Sequence, residues 1–217
     1  MSVLLMRLVG PMQSWGTRSR FTNRDTGLEP SKSGVIGLLC AALGWARDTE
    51  TFELARKKYT LEQFARQLLM VVRVDREGRL MRDYHTAQNV RRADPTKGTQ
   101  DTVLSERFYL ADADFLVGLE GDRALLQNLD AALHAPVWAL FLGRKAFVPS
   151  LPVSEGVSDG ELIAVLSKHP WRMRHERDKL PDKELRGVRE VPYGTGEPRP
   201  DVPLSFVSRD AVSRFGM

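Results

Sequence analysis

One cysteine stands in a chain of 217 residues, so no disulfide can form within it. Cys40 lies in an apolar stretch, where a thiol behaves as a small hydrophobe, and a reducing, cytoplasmic setting suits such a chain. Long hydrophobic runs are missing too. The longest, Val35–Ala46, has 12 residues with glycines inside, too short for a membrane span. Val3–Met6 is too short for the apolar part of a secretory signal. No internal repeat is visible. His134, His169 and His175 have no metal-type spacing with cysteines or carboxylates, so no metal and no cofactor are expected. GxxxxGK[ST] does not occur, which argues against nucleotide hydrolysis.

What is present supports a sizeable core. The chain is 42% hydrophobic, carries a net charge of +4 and has a sequence pI near 9.4, which permits a polyanionic partner without demanding one. Pro30–Gly44 is the organising stretch. Val35, Ile36, Leu38, Leu39, Cys40, Ala41, Ala42 and Leu43 predict a helix with almost no polar face, one that must be buried on most sides. Ser31 or Ser33 can cap its entrance. Lys32 is the odd residue, because a cation in the first turn opposes the helix dipole. Serine hydroxyls, free N–H groups, a lysine and small Gly34 together suit a phosphate. An ordinary capped helix with Lys32 in solvent is the competing reading.

Along the chain, Val3–Val9 reads as a buried strand interrupted only by Arg7, and Gly10-Pro11 stops it. The following loop sets Trp15 and Phe21 among Gln13, Ser14, Arg18 and Arg20, a mixture that can stack bases and hold phosphates; Trp15 could equally cap the core. Thr51–Gln67 has roughly helical apolar spacing. Leu68–Val74 reads as a strand, Asp75–Gly78 as a hairpin turn and Arg79–Thr86 as the paired strand. Ala87–Gln100 is a polar insert, and strand character resumes over Asp101–Leu119, so two polar arms suggest a projecting hairpin. Asp112 and Asp114 are expected to solvate a strand's outer face. Asp122 caps a helix with Leu125, Leu129 and Leu133 on one stripe, and Val137–Leu142 reads as a buried strand. The order to this point is β-α-β-β-α-β, an α+β, ferredoxin-like pattern whose sheet is a common RNA platform. A short helix at Glu161–Lys168, a basic run from Lys168 to Arg189 with eight cations against four carboxylates, and a strand at Leu204–Val207 form a small C-terminal subdomain. The expected division is 1–148, with a hairpin insert at about 83–107, and 149–217.

Four blocks then carry a resemblance: GPMQSWG at 10–16, TGLEPSKSGVIGLLCAALG at 26–44, RDYHT at 82–86 and FLGRK at 141–145. In this order they resemble the CasD subunits of Cascade, the type I-E CRISPR surveillance complex. Those subunits belong to the RAMP superfamily, with a ferredoxin-like (RRM-like) body, a β-hairpin thumb and a small C-terminal portion. The resemblance implies a non-catalytic subunit that binds the 5′ repeat handle of CRISPR RNA and caps the backbone filament. Its implied partners are CRISPR RNA, the backbone filament subunit, the large subunit and target DNA reached through the assembled complex, with no membrane. It implies that Ser31, Lys32, Ser33 and Gly34 hold handle phosphates, and that Gln13, Ser14 and Trp15 contact bases or sugars. Arg18, Arg24, Arg144 and Lys145 would add charge around the same sheet end. Arg91, Arg92, Lys97 and Arg107 would clamp the RNA from the thumb, with His85 at its base. The alternative is a metal-independent endoribonuclease that processes CRISPR precursor RNA, as in a related type I-C subfamily, with His85 and Tyr84 as its acid and base. Neighbours in a strand face opposite sides, which weighs against that pair.

Overall fold

The computed structural model describes residues 1–16, 19, 22–92, 94–173, 184–191, 195–205 and 211–216. In chain order its elements are β1 (Ser2–Val9), β2 (Met12–Gln13), β3 (Asn23–Arg24), α1 (Lys32–Leu43), β4 (Thr51–Leu54), β5 (Lys57–Thr60) and α2 (Leu61–Arg66). There follow β6 (Leu69–Arg76), β7 (Arg79–Arg91), a single 3-10 turn (Pro95–Lys97), β8 (Thr99–Ala111), β9 (Asp114–Gly121) and α3 (Arg123–His134). The chain closes with β10 (Ser154–Asp159), α4 (Leu162–Lys168), β11 (Gly187–Val191), β12 (Glu197–Pro203) and β13 (Ala211–Gly216). This is a mixed α/β structure.

A seven-stranded sheet runs β10-β1-β9-β6-β11-β13-β12. Its strands alternate. Leu4, Met6 and Leu8 of β1 point to one face with Met70, Val72, Val117 and Leu119, and α1 and α3 cover them. Val3, Leu5, Val71 and Leu116 point to the other face, where Leu162 and Leu166 of α4 close over them. The second face is therefore covered where a bare sheet would offer a platform for RNA. Arg7 belongs to this face as well. Its guanidinium lies 2.5 Å from Asp75, 3.2 Å from Asp114 and 3.2 Å from Glu155, and it is fully buried. Asp114 is thus an interior counter-ion, where the sequence suggested a solvated outer face; the arginine opposite it decides this.

Several elements keep the expected form. Ser31 caps α1 by accepting from the Gly34 N–H at 3.2 Å, and Gly44 ends the helix with φ 72°. Asp122 caps α3 through the Leu125 N–H at 3.0 Å, and Leu125, Leu129 and Leu133 are buried.

Others differ. The 51–67 segment is a two-stranded ribbon followed by a short helix, not one helix. Ala55 and Arg56 both adopt positive φ, 50° and 63°, and turn the chain so that Phe52 pairs with Tyr59. Phe52 then stacks on Trp45 at 5.3 Å. β7 pairs with β8 rather than returning along β6, whose neighbours are β9 and β11. The projecting hairpin therefore spans 79–111 and is longer than the expected insert at 83–107. Val137–Leu142 is not a strand. The Val137 and Trp138 N–H groups donate to the Ala42 and Ala41 carbonyls at 3.0 and 3.1 Å, completing the C-terminal end of α1. The strand expected there is supplied by β10, beyond residue 148, which pairs antiparallel with β1. The closing strands are β12 and β13; of the strand expected at 204–207, Leu204 and Ser205 are not in a strand, and Phe206 and Val207 lie outside the described residues.

Candidate nucleic-acid interface

The mouth of α1 already holds anions of the chain's own. Lys32 Nζ donates to both carboxylate oxygens of Glu190, at 2.7 and 2.9 Å, and the Lys32 backbone N–H donates to Asp201 Oδ2 at 2.8 Å. Glu190 also accepts the Met70 N–H at 2.8 Å. The unfavourable first-turn lysine is thus compensated from β11, and the free helix N–H from β12. Ser31 Oγ is taken up by the Gly34 N–H and lies 3.3 Å from Ser33 Oγ. Gly34 is small because the Trp15 ring lies against it; an added Cβ would fall 2.8 Å from that ring. The phosphate expected at Ser31–Gly34 meets, in this structure, a site filled by Glu190 and Asp201.

The Gln13–Trp15 segment is likewise interior. Gln13 Nε2 donates to the carbonyls of Leu8 and Ala113 at 3.0 and 2.9 Å, and its Oε1 accepts the Trp15 indole N–H at 3.2 Å. Trp15 is 2% exposed and offers no open ring face. Ser14 Oγ donates to the carbonyls of Asp25 and Phe108. The expected base contacts by Gln13 and Trp15 are replaced by packing, because both side chains are consumed in tying β1, β9 and α1 together.

The FLGRK block docks on this loop. Gly143, with φ 90°, passes so close to the Ser14 carbonyl that a Cβ would sit 1.8 Å from its oxygen. Ser14 N–H donates to the Leu142 carbonyl at 3.1 Å. The turn after Gly143 then throws Arg144 toward the hairpin base. Arg144 donates to the Phe108 and Arg24 carbonyls at 2.9 and 3.2 Å, and its guanidinium lies 5.5 Å from the Phe147 ring centre. β3 runs parallel to β8 with Arg24 beside Arg107, and β7 sets Asp83 across from Arg107 and His85 across from Ser105. Arg24, Arg107 and Arg144 thus gather at one end of the hairpin. Burial, followed by the charge of Arg107, pulls the Arg144 guanidinium below its usual pKa; Asp83 and Asp25 act in the opposite sense, and Arg24 adds to the repulsion. Such a cluster of cations suits an anion that enters from outside.

Of the other expected residues, Arg91, Arg92 and Lys97 are exposed at the hairpin tip, eight or more residues along the strands from the base cluster, and Lys97 pairs with Asp94 at 3.6 Å. Lys145 turns away from Arg144 and lines a separate groove beside α1. Arg18, with Arg20 and Phe21 of the same loop and Arg174, Arg177, Lys179 and Lys183 of the basic run, lies outside the described residues. Tyr84 and His85 alternate on β7, across from Glu106 and Ser105 respectively, so they share no face. His85 Nδ1 stands 3.4 Å from Asp83 Oδ2, and Tyr84 is 62% exposed. Among the described residues no group of three His, Cys, Asp or Glu side chains could hold a metal ion.

Sequence reasoning missed Glu190 and Asp201, which reach Lys32 from 158 and 169 residues away, and no local signal announces them. It also missed Asp83, which the strand alternation of the hairpin could have placed opposite Arg107.

Comparison with known proteins agrees with this architecture. Residues 3–215 match the family described as CRISPR-associated protein (Cas_Cas5). The chain is 35% identical over 150 residues to the CRISPR system Cascade subunit CasD of Escherichia coli (strain K12), a match covering 67% of this chain and 66% of that relative. It is similar to a solved structure titled "Crystal structure of Cas protein", with TM-score 0.74 and 38% identity over 99% of this chain and 92% of the other. It is similar also to a chain of a "CRISPR RNA-guided surveillance complex", with TM-score 0.77 and 35% identity over 99% of this chain and 88% of the other. With the match running over almost its whole length, the chain belongs to the CRISPR-associated Cas5 family.

Proposed function

We propose that this chain is a non-catalytic subunit of a type I-E Cascade surveillance complex, and that it binds the 5′ repeat handle of the guide RNA at the base of its β7–β8 hairpin. The observation that carries the reading is the convergence of Arg24, Arg107 and Arg144 on one end of that hairpin, close enough for their charges to oppose one another. A bound phosphate chain relieves that repulsion. The tip cations Arg91, Arg92 and Lys97 extend the same charge outward, where the RNA would pass into the guide toward a neighbouring filament subunit. The loop residues Gln13 and Trp15 act one step back, as the support that holds Gly143 and hence Arg144 in place.

We infer further that the body is ferredoxin-like. The strands β1, β6, β9 and β10 alternate in sequence with α1 and α3, and they lie side by side in the order β10-β1-β9-β6 with antiparallel neighbours. The body then runs through α4, and β11–β13 form the C-terminal unit that closes over the mouth of α1. A large subunit and target DNA are reached only through the assembled complex. The separation of Tyr84 from His85 favours holding RNA over cutting it.

The test is assembly on guide RNA with Arg24→Gln and Arg107→Gln. Handle retention is expected to fall, and the slope of log affinity against log salt to shrink by about 0.7 for each lost cation on a single strand. Wild-type retention and an unchanged slope would defeat the assignment. Incubation with repeat RNA in the absence of metal is expected to give no His85-dependent cut.

A further inference from the structure

We propose, resting on the RNA-binding role given above to the hairpin base, that His85 grips a phosphate there as an imidazolium, so that the arginine cluster takes up a proton as RNA enters. Affinity for RNA would then rise as pH falls, through one side chain.

The alternation of β7 divides the RDYHT block between two faces. Arg82, Tyr84 and Thr86 point to one face, and Asp83 and His85 to the other. On the first face Arg82 meets a counter-ion of its own, Glu106, at 3.2 Å. The second face belongs to the arginine cluster. Asp83 lies across from Arg107 and His85 across from Ser105, and Arg107 Nε donates to Ser105 Oγ at 3.0 Å, which draws the guanidinium along the row that His85 occupies. His85 Nδ1 stands 3.4 Å from Asp83 Oδ2. The ring thus has a carboxylate two residues away on its own strand and a guanidinium on the facing strand. The other charges at this end come from Arg24 and Asp25 at β3 and from Arg144 in the turn after Gly143. Asp25 Oδ1 already accepts the Ser19 hydroxyl. Asp83 is therefore an anion that His85 shares with the arginines, and its charge reaches Arg144 as well.

Charge balance gives the direction of the effect. Without RNA, Asp83 favours the imidazolium while Arg107 and its neighbours oppose it. The side chains of His85 and Asp83 are 39% and 49% exposed, so water screens their pairing. A phosphate seated among the arginines brings negative charge of its own and displaces that water. The charged ring is then favoured, with Nδ1 toward Asp83 and Nε2, on the other edge, donating to a phosphate oxygen. The proton comes from solvent. Protonation and RNA binding favour one another, so the added affinity is present at low pH and is lost as pH rises through the range in which an imidazole gives up its proton. An arginine at this position would hold phosphate at every pH; a histidine makes the grip conditional.

The experiment measures the affinity of the full chain for labelled single-stranded handle RNA at constant salt, between about pH 8 and about pH 5.5. Wild type is compared with His85→Gln, which stays neutral, and with His85→Lys, which stays charged. The ratio of wild-type to Gln affinity is expected to grow about tenfold on going from the higher to the lower pH, because titration elsewhere in the chain or the RNA cancels in the ratio. The ratio of Lys to Gln affinity is expected to remain flat. A wild-type to Gln ratio constant within about twofold overturns the proposal. Calorimetry of wild type alone, in two buffers of different ionisation enthalpy, is expected to show net proton uptake on binding near neutrality, and no uptake overturns it without recourse to any variant. The salt dependence of wild type against Arg107→Gln at a single pH keeps the two readings apart. Binding that depends on Arg107 but takes up no proton defeats this proposal only, whereas binding indifferent to Arg107 defeats the site itself.

Discussion

Two electropositive places in this protein, the mouth of α1 and the base of the β7–β8 hairpin, look alike as lists of residues and differ entirely in what surrounds them. At the helix mouth Lys32 is buried and closed by a carboxylate from β11, while Asp201 accepts its backbone N–H. At the hairpin base Arg24, Arg107 and Arg144 meet mainly one another, backbone carbonyls and a ring face. A cation matched from within does structural work, and breaking the match costs stability. Cations gathered against their own repulsion leave stability almost untouched when one is removed, and the charge is available to a ligand.

This contrast can be broken by mutation, beginning with the largest expected effect on stability. Lys32→Ala leaves the Glu190 carboxylate without its ammonium partner and is expected to destabilise the fold by about 3–5 kcal/mol, measured by urea unfolding. The fraction that remains folded should still retain guide RNA. Normal stability with lost RNA would reverse the roles assigned to the two places.

Glu29 gives the second test, with a pH dependence. Burial pushes its carboxyl up, but hydrogen bonds from Arg199 and Arg186 outweigh this and hold it below its ordinary value of 4.5. Since the folded carboxyl is the stronger acid, its stabilisation is complete above the unfolded pKa and is lost as pH falls through the folded one. Unfolding free energy should therefore decline from about pH 4.5 downward, and Glu29→Gln should flatten part of that decline, at a cost of roughly 1.5–3 kcal/mol near neutrality.

Arg107→Gln comes third. Its stability is expected to stay within about 0.5 kcal/mol of wild type, while binding to handle RNA weakens and loses salt dependence. Equal loss of stability and binding would make the hairpin base a structural site like the helix mouth. The smallest effect is expected for Lys97→Ala at the exposed tip, with no shift in thermal midpoint and a reduced salt slope only.

How much of this could be read beforehand depended on how local the cause was. Ser31, Asp122 and the Leu125–Leu129–Leu133 stripe announced their helices, because caps and helical spacing act within a turn or two. The hairpin was visible as two polar arms, though its true partner strands were not. Thr51–Gln67 misled because Ala55 and Arg56, neither of them glycine, hold the left-handed conformations of a tight turn. Val137–Leu142 misled because an apolar run is equally at home in a strand or wrapped on a helix end, and here the carbonyls of Ala41 and Ala42 were the nearest acceptors. Lys32 was recognised as electrostatically out of place, and the anion it requires is present, but it belongs to Glu190.

The sequence by itself determined where α1, α3 and α4 would lie, that Cys40 and its neighbours would be buried, and, through four ordered blocks, the family. Those properties depend on short-range hydrogen bonding, side-chain periodicity and residue identity, all written along the chain. Only the tertiary structure decided that α4 covers the second face of the sheet, that Glu190 and Asp201 fill the mouth of α1, and that Arg24, Arg107 and Arg144 meet. Each of these unites residues far apart in sequence, and whether a charge is paired or exposed is settled only when distant segments come to lie side by side.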